Sequence, residues 1–125
     1  MSFLLCLFHA YSCYQLSDVA NGLCYLHSCN VIHGNLKGVG SSISNFTTIL
    51  IPGQPTILVD NSGHVCLAGF VTAIVTQNPN SVQITSLQDI YTPRWAAPEA
   101  LSGDGYSKKV DIFSFAMVVI EVCCR

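Results

Sequence analysis

Chemistry-bearing side chains crowd into one short stretch, His33-Gly34-Asn35-Leu36-Lys37. An imidazole, a carboxamide and an ammonium this close together offer several donors, a few acceptors and one positive charge. His33 follows the apolar pair Val31-Ile32, and by itself reads as a core histidine whose ring nitrogens are satisfied. Asn35 can hydrogen-bond a hydroxyl, but it cannot take up a proton at neutral pH and so cannot act as a general base. Lys37 by itself reads as a solvated surface lysine. Asp60 opens Asp60-Asn61-Ser62-Gly63, where its first reading is a turn residue.

Seven cysteines stand at positions 6, 13, 24, 29, 66, 123 and 124. Their number is odd, and no C-x-x-C or His-x-x-x-His spacing occurs, which argues against a disulfide framework and against a metal site. They read as small buried thiols in a reducing compartment, and the chain is expected to be cytoplasmic.

These side chains need elements to position them. Leu16, Val19, Ala20, Leu23 and Leu26 recur at helical spacing, which predicts a helix over 15–29 with Ser17 and Asp18 near its start. Val31-Ile32 is β-prone. Ile57-Leu58-Val59 and Val65-Cys66-Leu67 flank the Asp60–Gly63 turn and predict a hairpin. Residues 72–92 read as a polar surface loop. A last helix is predicted over 110–124, apolar on nearly every side, as expected of a helix buried inside a larger body. Residues 40–56 form an uncharged block rich in Ser and Thr and broken by Pro52 and Pro55. It reads as a loop.

Composition bounds the function. The chain has 125 residues with Lys+Arg 5 against Asp+Glu 7, and only 10% of residues are charged while 50% are hydrophobic. That suits one modest domain rather than a two-domain enzyme. So few basic residues exclude a phosphate-tracking patch, and no nucleic-acid partner is expected. A surface this poor in charge is sticky, which points to another protein as a partner through exposed apolar surface. Gly38 to Val59 carries no Lys, Arg, Glu or Asp, but Gly, Ser, Asn and Pro interrupt it, so no membrane span is expected. Residues 1–14 form an atypical apolar leader. Its opening resembles a signal h-region but lacks a basic flank, and its apolar run falls short of the usual roughly 7–15 residues.

The motifs also stand in a telling order. Gly22-Leu23-Cys24-Tyr25-Leu26-His27 lies on the first helix, and His33-Gly34-Asn35-Leu36-Lys37 follows in a loop. Ile57-Leu58-Val59-Asp60 and Leu67-Ala68-Gly69-Phe70-Val71 come next, then Arg94-Trp95-Ala96-Ala97-Pro98-Glu99 and Asp111-Ile112-Phe113-Ser114-Phe115-Ala116. This set resembles the C-terminal lobe of a eukaryotic protein kinase over residues 15–124, the 40–56 block apart. Thr92 with Arg94-Trp95 resembles the substrate-facing segment of tyrosine-kinase-like Ser/Thr kinases. The fold class this implies is α+β: a mainly helical C-terminal lobe with a short β-hairpin, truncated at both ends.

The resemblance also implies roles, position by position. Kinases transfer phosphate by positioning and charge neutralisation, using ATP and Mg²⁺ with a base Asp, a metal-binding Asn and the Asp of D-F-G. Asn35 matches the base Asp, and Gly34 replaces the preceding Arg. Lys37 matches the lysine that touches the transferring phosphate. Gly69 stands at the D-F-G Asp, and Phe70 alone of that motif survives on the nucleotide-facing turn. The metal-binding Asn is matched by Gly40 or, if residues 40–55 are inserted, by Thr56. His33, Glu99 and Asp111 match structural positions, with Asp111 expected to brace the backbone of the loop and Glu99 to be solvated or re-paired.

With those losses and no nucleotide-covering lobe, the resemblance implies an inactive, pseudokinase-like domain that uses neither ATP nor Mg²⁺. The alternatives are a working Ser/Thr kinase with incorrectly defined ends, or a non-catalytic interaction module. The 40–56 block corresponds to 17 codons and reads as an insertion, translated from an unspliced intron.

Overall fold

A computed structural model describes residues 3–40, 56–60, 62–76 and 93–124. The bulk of the 40–56 block, Thr92 and most of the expected 72–92 loop lie outside the described residues. Helix α1 spans Phe3–Ser28, so it starts well before the predicted residue 15 and absorbs most of the 1–14 leader. An apolar run with no polar face has no period from which to read a helix, and nothing in it stops one. The helix ends where Asn30 adopts a left-handed φ of 58°, a conformation Asn tolerates better than most residues.

Two small sheets follow. Strand β1 (Val31–Ile32) pairs antiparallel with β5 (Ile74–Val75). Strand β2 (Val39–Gly40) pairs parallel with β3 (Ile57–Val59), which pairs antiparallel with β4 (Val65–Leu67). The β3–β4 hairpin falls where it was predicted. Asp60 closes its turn, with one carboxylate oxygen accepting from the backbone N–H of Ser62 and of His64 at 2.8 and 2.9 Å.

A 3₁₀ turn, Phe70–Thr72, links β4 to β5. Helix α2 (Pro98–Ser102) begins with proline at its N-terminus and ends on Gly103 at φ 77°. Helix α3 runs Lys108–Cys123, two residues ahead of the predicted start at its N-terminus. The Ser107 hydroxyl caps it by accepting from the Lys109 N–H at 3.3 Å, satisfying one otherwise orphaned donor.

Two apolar clusters hold the elements together. Val19 and Leu23 of α1 pack with Leu36, Ile57 and Val118, flanked by Leu16, Leu26, Val65 and Leu67. Gly22 brings β4 close to α1, since a Cβ there would lie 3.0 Å from Leu67 Cδ1. The second cluster joins Ile32, Ala97, Tyr106 and Val110. Helix α3 buries Val110, Asp111, Ser114 and Val118 along one stripe, whereas Ile112 and Ile120 are 54% and 53% exposed. In the described residues it is therefore covered on one face only, not all round.

The cysteine reading needs correction. Cys13, Cys24, Cys29, Cys66, Cys123 and Cys124 are free, as thiols, but exposed rather than buried. Cys66 shows the reason: the alternation of β4 turns it outward while Val65 and Leu67 face α1, as a two-residue period requires.

Candidate functional site

The loop from His33 to Lys37 lies between α3 and the β3–β4 hairpin, and each side grips it. From α3, the Asp111 carboxylate accepts from the backbone N–H of His33 and of Gly34, each at 2.8 Å. His27, near the C-terminus of α1, places Nε2 2.8 Å from the same carboxylate. Asp111 is 1% exposed, and a carboxylate held there is tolerable because its lone pairs meet donors. The α1 motif assigns His27 no role. Its partner lies 84 residues away, so nothing local marks it.

His33 is fully buried. Its Nε2–H donates to the Ala68 carbonyl at 2.8 Å, and its Nδ1 accepts from the Asn35 N–H at 3.2 Å. Those two partners fix the neutral Nε2–H tautomer. Burial pushes its pKa below 6.5, against the Ala68 hydrogen bond and the Asp111 charge, which pull it up. The ring lies against Phe70, with centroids 5.1 Å apart and planes tilted by 55°. Thr72 adds a hydroxyl donated to the His33 carbonyl at 3.1 Å.

Gly34 sits at φ 79°, and a Cβ there would lie 1.6 Å from the Tyr106 hydroxyl. The tyrosine ring therefore fills the space that a side chain at position 34 needs. Nothing in the sequence marks Tyr106, because a left-handed backbone and a long-range ring contact leave no local signal.

On the hairpin side the key residue is Thr56. Its hydroxyl accepts from the Lys37 N–H at 2.9 Å and donates to the Asn35 carbonyl at 3.0 Å. Thr56, rather than Gly40, is thus the residue brought to the loop, whereas Gly40 lies in β2. Lys37 is 5% exposed, so it is no surface lysine, and burial lowers its pKa. Gly69 faces Thr56 at φ 75°, where a Cβ would lie 2.6 Å from Thr56 Cγ2. A small pocket beside the loop is lined by Asn35, Leu36, Trp95, Ala97, Ala100 and Ser114. Trp95 is held by Glu121, whose Oε2 accepts from the indole N–H at 3.1 Å, and the Arg94 guanidinium lies 5.6 Å above its ring.

The structure thus brings His33, Asn35, Lys37, Gly69, Phe70 and Asp111 into one neighbourhood. Glu99 stands in the first turn of α2. No salt bridge among the described residues ties its carboxylate to that neighbourhood.

The donor set does not suit Mg²⁺. A hard divalent cation wants carboxylate oxygens in open geometry. Here a glycine stands opposite a threonine methyl, and no group of three His, Cys, Asp or Glu that could hold a metal occurs among the described residues.

Comparison with known proteins gives this architecture a family. The protein kinase domain model matches residues 54–125. The chain is 33% identical over 111 residues to "Probable serine/threonine-protein kinase drkC" of Dictyostelium discoideum, covering 86% of this chain and 12% of that relative. It is 33% identical over 110 residues to "Probable serine/threonine-protein kinase drkD" of the same organism, covering 86% and 7%. It is 28% identical over 105 residues to "Serine/threonine-protein kinase shk2" of Schizosaccharomyces pombe, covering 84% and 15%. The chain belongs to the protein kinase domain family, and it spans 15% or less of the length of each of these three relatives. Among the described residues, no helix is long and apolar enough to cross a membrane.

Proposed function

We propose that this chain is a non-catalytic, pseudokinase-like part of a protein kinase lobe of Ser/Thr ancestry, acting without ATP or Mg²⁺ in the cytoplasm. The observation that carries the reading is the pairing of Thr56 with Gly69, with the Thr56 methyl lying where a side chain at 69 would begin. Asn35 supports it from the other side of the loop, since a carboxamide takes up no proton from a substrate hydroxyl at neutral pH. The names of the relatives support the Ser/Thr ancestry. The closeness of Val39 and Ile57 across the β2–β3 pairing supports reading residues 40–55 as an insertion, with Thr56 kept as part of the lobe.

A phosphotransfer assay on the chain in its full-length protein tests this, with labelled ATP, Mg²⁺ or Mn²⁺ and a generic protein acceptor. We expect no incorporation above background and no thermal shift on adding ATP with Mg²⁺. Incorporation that disappears in the Asn35→Ala variant defeats the reading. Restoring chemistry would require Asn35→Asp, Gly69→Asp and Thr56→Asn together, because Gly69→Asp alone collides with Thr56.

A second reading, an interaction module, is favoured by the apolar face of α3, where Ile112, Phe113 and Ile120 are 54%, 37% and 53% exposed. An exposed face of this kind seeks a protein partner. Sedimentation velocity over a concentration series checks it, and a well-behaved monomer throughout counts against self-association through that face.

A further inference from the structure

The mismatch between this site and a divalent cation can be traced to what holds its two loops together. Thr56 is 3% exposed, and it touches both. Towards the 33–37 loop, its hydroxyl serves the Lys37 N–H and the Asn35 carbonyl at 2.9 and 3.0 Å, while its own N–H donates to the Lys37 carbonyl at 3.2 Å. Towards the turn, its carbonyl accepts from the Ala68 N–H at 2.8 Å, and its methyl covers Gly69.

We propose that Thr56 is the positioning residue that closes the Asn35–Lys37 loop onto the Gly69 turn, forming a neutral clasp that needs neither cation nor nucleotide. Threonine is stiff at χ1, so the hydrogen bonds that hold its hydroxyl also fix where its methyl points. That direction leaves 2.6 Å for a Cβ at position 69, well inside van der Waals contact. Glycine also suits the left-handed φ of 75° there. Positions 56 and 69 are therefore interdependent: the hydroxyl orients the methyl, and the methyl demands glycine. The clasp goes beyond loss of activity, because an inactive site could equally have a loop that orders only on binding a ligand.

Amide hydrogen exchange on the full chain tests the clasp, since the Lys37 N–H reports directly on its acceptor. Thr56→Val keeps the branched shape and removes that acceptor, and Lys37 exchange should quicken by about tenfold or more. Thr56→Ser restores the acceptor and should stay within about twofold of the parent. Adding ATP with Mg²⁺ to the parent should leave Lys37 exchange unchanged. Should Thr56→Val fail to fold, a thermal cycle with milder variants stands in its place. Gly69→Ala should lower Tm by clearly less in a Thr56→Ser background, which lacks the offending methyl, than in the parent.

Unchanged Lys37 exchange in Thr56→Val, added protection with ATP and Mg²⁺, or equal Tm losses in both backgrounds would each overturn the clasp. Its failure is separable from that of the non-catalytic reading. A protein that transfers phosphate yet shows Thr56-dependent protection of Lys37 defeats the latter and leaves the clasp standing.

Discussion

On its α3 side, the 33–37 loop is tied to a buried carboxylate, with two backbone N–H groups and an imidazole converging on Asp111 at 2.8 Å. On its hairpin side, the same loop is tied by a threonine hydroxyl over a glycine. The first junction centres on a carboxylate whose partners, His27 and two backbone N–H groups, belong to the fold, and removing it would strand buried donors. The second is made by a neutral hydroxyl and backbone groups, and the packing of Thr56 on Gly69, with the left-handed φ there, decides what fits. A carboxylate with internal partners is tied to folding. A carboxylate aimed at a ligand is tied only to chemistry.

That contrast can be broken most forcefully at Asp111. Asp111→Ala should destabilise the chain by about 3–5 kcal/mol, the range for breaking a buried charged network, read as a lowered urea midpoint at unchanged slope. Next comes Gly34→Ala, which must displace the Tyr106 hydroxyl and should cost about 1–3 kcal/mol by overpacking on top of its backbone strain. Gly103 is the control, since it has a similar φ of 77° but nothing within 4 Å of a Cβ. Gly103→Ala should cost only the left-handed strain, about 1–2 kcal/mol.

Acid sharpens the same comparison. The pKa of His33 is lowered in the fold, chiefly by burial. The unfolded chain therefore binds more protons at this residue once pH falls below about 6.5. Stability contributed by neutral His33 is full above that value and is lost as pH falls towards the folded pKa. Urea midpoints between pH 8 and pH 5 should decline, with a shallower slope in His33→Gln. The smallest effect is expected at Cys66, which touches neither junction: Cys66→Ser should stay within about 0.5 kcal/mol of the parent, and native Cys66 should react readily with a thiol reagent.

Local signals were legible in the sequence, and tertiary ones were not. The hairpin could be read because its strands and its Asp60–Gly63 turn lie side by side in the chain. Helix α3 could be read for the same reason. Asp111 and His33 stand out in the sequence through the resemblance of their motifs to those of a kinase lobe. His27 and Tyr106 were missed because their contacts depend on long-range approach, and the early part of α1 was missed because uniform apolarity hides a period. Exposure of Cys66 was within reach, since strand alternation sets it opposite Val65 and Leu67. Thr56 was visible only as one of two alternatives, because its position depends on the chain returning to Lys37 after residues 40–55.

That return has a topological consequence. Val39 lies beside Ile57 and Gly40 beside Leu58 in a parallel pairing, so the chain departs from and rejoins the sheet on adjacent strands, about 4.8 Å apart. Once two ends are held together, the entropic cost of the segment between them grows only logarithmically, by about 0.6 kcal/mol for each doubling of its length. Beyond the roughly dozen residues that a parallel crossover needs, the lobe is therefore nearly indifferent to lengthening of that segment. The junction is a natural socket for grafting a reporter domain.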